Sequence, residues 1–244
     1  MFDHVTIRAS DREASERFYT LVLRTIGIEP THMGEHFVEW HDFSVAAADE
    51  EKPVTHRLHI AFVAASRADV DEFWRVGTGA GYRDDGAPGP RPQYSESYYG
   101  AFLLDPDGNS AEAVHHDSVR TDGHVDHLWI RVADVDASRR FYERAGAHAG
   151  FGLRRSTPER AQFVGSSGSF SVVAGAPLTE HVHLGFAADD DGSVDAFHRA
   201  LTEAGYRDNG APGERPVYHP GYYAAFVLDP DGNNVELVNH NRPS

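Results

Sequence analysis

The same sequence pattern occurs twice in this chain, and this repeat constrains the fold more than any other feature. Gly81–His116 and Gly205–His240 align without a gap, and 24 of their 36 positions are identical at an offset of 124 residues. A repeat of this length is a whole domain rather than one unit of a solenoid. The 244-residue chain is therefore predicted to contain two homologous domains, 1–117 and 124–244, joined near Asp117–Gly123.

Composition excludes several classes of protein. Hydrophobic residues make up 40% of the chain, which is enough for a core, and the net charge of −16 argues against binding to nucleic-acid phosphates. There is no cysteine, so disulfides, thiolate zinc ligands and a cysteine nucleophile are excluded. The N-terminus lacks the layout of a signal peptide, and no apolar run approaches the roughly 20 residues of a membrane span. We expect a cytoplasmic protein with a small-molecule partner and neither a nucleic acid nor a membrane as partner.

Hydrophobic periodicity predicts the order βαβββ twice within each copy. Ser10 and Glu13 fit a capping box at the start of the first helix, and Gly27 is expected to stop this helix. Asp-Pro-Asp-Gly-Asn predicts a hairpin between the last two strands. In the first copy the expected strands are His4–Ala9, Phe37–Trp40, Phe43–Ala47, Arg57–Val63, Tyr98–Leu104 and Ser110–His115. The expected second helix is Ala68–Val76. The predicted fold class is α+β, with two tandem domains of paired βαβββ modules.

Residue parity shows which side chains share a face of a strand, because side chains alternate between its two faces. In the first strand, Val5 and Ile7 take the apolar face and leave His4 on the other. The same parity leaves two histidines and one glutamate per copy on the face away from the helices. These residues are His4, His59 and Glu112, then His127, His183 and Glu236. His116 and His240 share the face of the glutamates and are interpreted as neighbours of the ligands or as surface residues.

Two neutral imidazoles and one carboxylate form a ligand set that holds a divalent metal and leaves other positions open. We expect Fe²⁺, Mn²⁺, Zn²⁺ or Ni²⁺ as the cofactor. Such a centre keeps a net positive charge and favours a chelating pair of substrate oxygens. A lone strand histidine is more often an ordinary polar residue, but six ligand-type residues in matching parity indicate metal binding by at least one set.

The chain resembles the vicinal oxygen chelate superfamily. The resemblance lies in the paired βαβββ modules, the opening DHVTIRASDREASERFY, the strands HIAF and HLGF and the terminal DPDGNxxE, and it covers nearly the whole chain. The superfamily includes glyoxalase I, extradiol ring-cleaving dioxygenases and bleomycin-binding resistance proteins. The resemblance implies sheets that curl around a metal-bearing cavity, and it places the family's metal positions on the same six residues.

The chain departs from two members of this superfamily. Glyoxalase I carries a further acidic ligand that also acts as a base, but the matching strands, Phe43–Ala46 and Phe170–Val173, contain no acid. Extradiol dioxygenases place a catalytic tyrosine ten residues before the glutamate ligand, where this chain has Phe102 and Phe226. Their N-terminal domain has usually lost its ligands, whereas both copies keep them here.

The clearest difference between the copies lies at Tyr94–Tyr99 and Tyr218–Tyr223. His219 is a candidate general acid or base, with an exposed loop histidine as the alternative. Tyr222 is a second candidate for proton transfer. Three tyrosines that could contact an aromatic substrate, or only begin a strand, are Tyr98, Tyr99 and Tyr223.

Three functions are compatible with these features. The leading hypothesis is a metal-dependent enzyme with extradiol-dioxygenase-like chemistry on a substrate bound through vicinal oxygens. The second is a lyase, isomerase or antibiotic-modifying enzyme that uses the metal as a Lewis acid, and the third is a non-catalytic protein that binds a drug or toxic small molecule.

Parity leaves open whether His4 joins His59 and Glu112 or His183 and Glu236. Monomer and homodimer also both stay open.

Overall fold

The computed structural model describes residues 1–117 and 123–241. Four modules follow one another along the chain, and each has the order βαβββ. The predicted α+β fold class with two tandem domains of paired modules is thereby confirmed. Residues 118–122 of the predicted junction, and 242–244 at the end of the second predicted domain, lie outside the described residues.

The modules of the first copy have the following bounds. The first module comprises β1 (Phe2–Ala9), α1 (Arg12–Arg24), β2 (His32–Met33), β3 (Phe37–Trp40) and β4 (Phe43–Ala47). The second comprises β5 (His59–Val63), α2 (Arg67–Gly79), β6 (Arg83–Pro90), β7 (Tyr99–Leu104) and β8 (Ser110–His115).

The modules of the second copy repeat this order. The third module comprises β9 (Val125–Val132), α3 (Val135–Ala149), β10 (Gly152–Thr157), β11 (Arg160–Val164) and β12 (Ser169–Ala174). The fourth comprises β13 (His183–Ala187), α4 (Asp191–Glu203), β14 (Asp208–Glu214), β15 (Tyr223–Leu228) and β16 (Asn234–Asn239).

The chain forms two compact units that are offset from the two copies of the repeat. Unit 1 comprises Met1–Val5 and Arg131–Ser244, and unit 2 comprises Thr6–Ile130. The start of β1 therefore belongs to unit 1, and most of β9 belongs to unit 2. The domain limits 1–117 and 124–244 describe the sequence duplication and stay a prediction.

Each unit contains a mixed set of strands in which a parallel pair carries candidate ligands. In unit 1 the strand order is β14-β15-β16-β13-β1, and β10, β11 and β12 form antiparallel hairpins. In unit 2 the orders are β9-β5-β8-β7-β6 and β1-β4-β3-β2. The parallel pairs are β13 with β16 and β5 with β8.

Helix positions follow the apolar periodicity of the sequence. In α1, Phe18, Tyr19 and Val22 are fully buried, as expected for residues three and four apart on one face. The corresponding face of α3 buries Phe141 and Tyr142. None of the helices in the described ranges is both long and apolar enough to cross a membrane.

Three local predictions need correction. The N-cap of α1 is Asp11, whose carboxylate accepts a hydrogen bond from Ala14 N at 3.0 Å, while Ser10 bonds to Asp107 instead of closing a capping box. The strand predicted from Arg57 begins at His59, because Arg57 has a φ of 60°, outside the extended region. The α2 helix is also longer than predicted and runs over Arg67–Gly79.

Candidate metal centres

The first ligand group lies in unit 2 and is termed site 2. Ala61 of β5 pairs with Glu112 of β8 on one side and with His127 of β9 on the other. Because directly opposed residues share a face, and His59 is two residues from Ala61, all three ligand-type side chains meet. Glu112 Oε2 lies 3.0 Å from His59 Nε2 and 3.5 Å from His127 Nε2.

The second group lies in unit 1 and is termed site 1. Gly185 of β13 pairs with Glu236 of β16, and β1 lies on the other side of β13. Glu236 Oε2 is 2.7 Å from His183 Nε2 and 3.3 Å from His4 Nε2. His4 therefore joins the ligands of the second copy, and His127 those of the first. In each group the three ligand atoms lie within 4.8 Å of one another.

An aspartate orients one histidine of each group. His4 Nδ1 lies 2.8 Å from Asp3 Oδ1, and His127 Nδ1 lies 2.8 Å from Asp126 Oδ2. An ionised carboxylate only accepts, so Nδ1 of each ring must donate. In the neutral ring this leaves the lone pair on Nε2, the nitrogen that faces the glutamate.

A tyrosine holds each glutamate from the other side. Tyr98 OH donates to Glu112 Oε1 at 2.7 Å, and Tyr222 OH donates to Glu236 Oε1 at 2.6 Å. Burial and the adjacent glutamate raise the pKa of both phenols, so both stay protonated donors. Each glutamate thus keeps its Oε2 for the two histidines. Both glutamates are only 1% exposed.

The electrostatics of site 1 favour a buried positive charge beside Glu236. Burial by itself raises the pKa of Glu236, but hydrogen bonds from His183 and His4 outweigh burial and lower it to about 2. Burial also lowers the pKa of His4, and its contacts with Asp3 and Glu236 outweigh this and raise it to about 10. Without metal, therefore, Glu236 is ionised and His4 is protonated at neutral pH. A divalent cation would displace that proton on binding.

The donor set fits a divalent metal. Nitrogen and oxygen ligands at about 2.1 Å from one ion lie roughly 3.0–3.5 Å apart when they occupy neighbouring positions. Three of the four glutamate–histidine distances, 3.0, 3.3 and 3.5 Å, fall in this range, and the fourth, between His183 and Glu236, is 2.7 Å. Among residues 1–117 and 123–241, no fourth histidine, aspartate or glutamate belongs to either group. Each site thus offers three candidate protein ligands, and a bound ion would keep its remaining coordination positions for water or substrate.

Other candidate residues from the sequence lie in different surroundings. Tyr98 and Tyr222 contact the glutamates, whereas the hydroxyls of Tyr99 and Tyr223 bond to Asp71 of α2 and Asp195 of α4, respectively. The structure does not bring Tyr99 and Tyr223 together with the ligands.

His219 lies beside site 1 without contacting its ligands. Its Nε2 is 2.8 Å from His240 Nδ1, and its Nδ1 is 2.8 Å from the carbonyl oxygen of Pro220. Both ring nitrogens are therefore engaged within the protein. A role of His219 in proton transfer stays a prediction.

Sequence reasoning missed residues that surround the ligands. Asp3 and Asp126 precede a ligand histidine in both copies, and this repeated Asp-His pair was a usable signal. Trp129 shares the parity of His127, and its ring centroid lies 5.9 Å from that of His59. Tyr94 packs edge-on against Trp129 at 5.7 Å, so site 2 has an aromatic flank.

The comparison with glyoxalase I agrees with this fold. Glyoxalase I from Zea mays superposes with a TM-score of 0.70 at 20% identity, covering 98% of this chain and 92% of that chain. A glyoxalase/bleomycin resistance protein from Albidiferax ferrireducens is 28% identical, with a TM-score of 0.42 and coverage of 46% of this chain and 96% of that one. A mutant of homoprotocatechuate 2,3-dioxygenase from Brevibacterium fuscum is 15% identical, with a TM-score of 0.43 and coverage of 98% of this chain and 70% of that chain. The comparison with curated proteins found no match.

The tandem βαβββ modules, each pair of which supplies ligand-type residues, define a glyoxalase-like class of protein. The model of the Glyoxalase/Bleomycin resistance protein/Dioxygenase superfamily matches residues 1–113 and 124–237. The chain belongs to this superfamily.

Proposed function

We propose that this protein is a divalent-metal-dependent enzyme that binds a small substrate through two adjacent oxygen atoms. One observation carries the proposal: each unit brings two histidines and one buried glutamate within 4.8 Å of one another. A His₂Glu set leaves open positions on a divalent ion, where a chelating substrate can enter. The partner is thus a small molecule with vicinal oxygens.

The residues of the two sites have separate roles in this proposal. His4, His183 and Glu236 would hold one ion, and the equivalent trio in unit 2 would hold another. The bound metal supplies a Lewis acid and, if it is iron(II), a centre for oxygen chemistry. Tyr222 orients Glu236 through its hydroxyl at 2.6 Å, and Asp3 holds His4 with Nε2 available for the metal.

Within this class we favour extradiol-dioxygenase-like cleavage of an aromatic or enolic substrate. The absence of a fourth acidic side chain from both groups in the described ranges supports this choice, since a metal-bound carboxylate base of the glyoxalase I kind has no counterpart. The aromatic flank of Trp129 and Tyr94 at site 2 suits a planar ring. Fe²⁺ is the ion that we favour for this chemistry, and Mn²⁺ is the alternative.

Oxygen uptake tests the reaction type. The protein is loaded anaerobically with Fe²⁺, mixed with a panel of catechols and enediols, and monitored with an oxygen electrode and by absorbance. We expect oxygen consumption that depends on substrate and is lost in the double variant His59→Ala, His183→Ala. Turnover with Zn²⁺ or Ni²⁺ in the absence of oxygen would instead identify a Lewis-acid lyase, isomerase or antibiotic-modifying enzyme.

A non-catalytic drug-binding function gives a different result. Tight ligand binding would then survive both chelator treatment and the His183→Ala substitution, and no metal would support turnover. Calorimetric titration of the same panel with metal-free and metal-loaded protein distinguishes the two classes. The enzyme proposal predicts that removal of the metal abolishes chelating-ligand binding.

A further inference from the structure

A chain of hydrogen bonds leads away from the candidate ligand His4. Beyond Asp3, the second carboxylate oxygen, Oδ2, lies 2.8 Å from His240 Nε2. His240 Nδ1 lies 2.8 Å from His219 Nε2. Four side chains thus form one continuous path from the ligand group to the loop before β15, and all four belong to unit 1.

The Asp3 carboxylate determines which nitrogens of its two histidine neighbours donate hydrogen bonds. His4 Nδ1 and His240 Nε2 must both donate to the Asp3 carboxylate, because it only accepts. Asp3 is therefore held between two imidazoles and cannot rotate without losing one of them. Its position decides how the His4 ring is turned, and hence whether Nε2 faces Glu236.

His219 is itself held in place by the loop that carries it. Tyr222 N donates to His219 O at 3.2 Å, and His219 Nδ1 faces the carbonyl of Pro220. Gly221 completes this turn with a φ of +82°, a left-handed value that favours glycine. Asn241 Nδ2 donates to Gly221 O at 3.1 Å and ties the turn to the end of β16.

The first copy shows what changes when His219 is replaced. Ser95 occupies the equivalent position in the repeat. There His116 keeps the contact with the aspartate, its Nε2 lying 3.1 Å from Asp126 Oδ1, but its ring lies nearly parallel to that of Tyr98, at an interplanar angle of 16°. His240 is instead nearly perpendicular to Tyr222, at 87°, and nearly parallel to His219, at 14°. The ring orientation of His240 thus follows His219 rather than the tyrosine.

We propose that His219 and His240 are positioning residues for site 1, which act on its metal through Asp3 and His4. His116 is the counterpart of His240 at site 2, whereas Ser95 stands there in place of His219. This inference rests on the metal site of the proposed function. Loss of either imidazole loosens Asp3 and allows the His4 ring to turn, which weakens metal binding at site 1 alone. Outer hydrogen-bond partners of this type typically change metal affinity by about 10–100-fold.

The test measures the affinity for Co²⁺ in proteins that retain one site. A site 1 protein carries His59→Ala and His127→Ala, and a site 2 protein carries His4→Ala and His183→Ala. Into each we introduce His219→Ser, which copies the residue of the other repeat, and separately His240→Ala and His240→Gln. Co²⁺ dissociation constants are obtained by competition with a fluorescent chelator, and thermal unfolding of the metal-free proteins checks that each variant folds.

In the site 1 protein we expect His240→Ala to weaken Co²⁺ binding about 10-fold or more and His219→Ser several-fold. His240→Gln should restore most of the affinity, because its amide N–H can still donate to Asp3. In the site 2 protein none of these substitutions should change Co²⁺ binding. Undiminished affinity at site 1, or equal weakening at both sites, would overturn the proposal. If the parent site 1 protein binds no Co²⁺, the metal proposal itself fails for this site and the positioning role falls with it.

Discussion

At the scale of single residues, the two sites differ by a reciprocal exchange of glycine and alanine beside the ligands. Site 1 has Gly185 where site 2 has Ala61, and site 2 has Gly100 where site 1 has Ala224. A Cβ added to Gly185 would overlap the His4 ring, and one added to Gly100 would overlap Glu112 Oε1. Each site therefore has one close backbone approach, against a histidine in one case and the carboxylate in the other.

This exchange predicts the effect of Gly185→Ala. The added methyl group displaces the His4 imidazole from Glu236, so metal affinity at site 1 should fall about 10–100-fold. Chelator competition with Co²⁺ measures the change. Ala61→Gly is the matched control at site 2 and should alter affinity little, because it removes a group rather than adding one. Equal Co²⁺ affinity of Gly185→Ala and wild-type protein would show that His4 is not a ligand.

The tyrosine–glutamate contact predicts a cost in stability. Tyr222→Phe leaves Glu236 Oε1 without its donor in a buried site, and losing such a partner costs about 1–3 kcal/mol. Tyr98→Phe should destabilise the protein by a similar amount through Glu112. Chemical denaturation of the metal-free variants measures both changes. Unchanged stability in both variants would mean that these hydrogen bonds do not persist in solution.

The ion pair between His4 and Glu236 predicts a pH dependence in the metal-free protein. Glu236 has a folded pKa of about 2 against an ordinary value of 4.5, so its contribution to stability is complete above pH 4.5 and is lost as the pH falls toward 2. His4 has a folded pKa of about 10 against 6.5, so its contribution is complete below pH 6.5 and is lost as the pH rises toward 10.

The stability difference between wild-type protein and Glu236→Gln should therefore be largest between about pH 4.5 and 6.5. Urea unfolding at a series of pH values, with a chelator present, gives this difference. A gap that is constant from pH 3 to 9 would contradict the assigned ion pair.

At the scale of elements, the Asp-Pro-Asp-Gly-Asn turn between β7 and β8 sets the register that places Glu112. Asp105 is 5% exposed, and its carboxylate accepts hydrogen bonds from Asp107 N, Asn109 N and Tyr19 OH. The turn thereby links the hairpin to α1. The hairpin predicted from this sequence is present, and Phe102 pairs with Glu112 across it.

Asp105→Ala should destabilise the protein by about 2–4 kcal/mol, because several buried donors lose their acceptor at once. Thermal unfolding measures the loss. Asp71→Ala is the matched control, because Asp71 accepts one exposed bond from Tyr99 OH and should cost less than about 1 kcal/mol. Similar losses in the two variants would show that the turn has no special role.

Two of the strands that sequence periodicity missed share a composition. β6 and its counterpart β14 are rich in glycine and proline, and Gly86 and Gly210 lie at irregularities in the strand register. Their residues are mostly exposed, so no alternation of apolar and polar side chains marks them. Strands held by a neighbour's hydrogen bonds rather than by burial leave little trace in a hydrophobicity pattern.

At the scale of the whole molecule, the sequence predicted the fold class and the faces on which the candidate ligands lie. Strand parity placed His59 and Glu112 on one face because the period of two is a local property. It could not tell which glutamate His4 meets, because that depends on β1 lying beside β13, a pairing between distant segments. The contact of His219 with His240 was equally out of reach, since a loop's tertiary neighbour has no periodic signal.

Metal content per chain tests the central claim most directly. Protein refolded with Fe²⁺ or Co²⁺ under anaerobic conditions and freed of excess metal is analysed for bound metal, beside His183→Ala, His59→Ala and the double variant. Two independent His₂Glu groups predict two ions per chain in the wild type, one in each single variant and none in the double variant. A wild-type content below roughly 0.2 ions per chain would contradict a metal-dependent function at both sites.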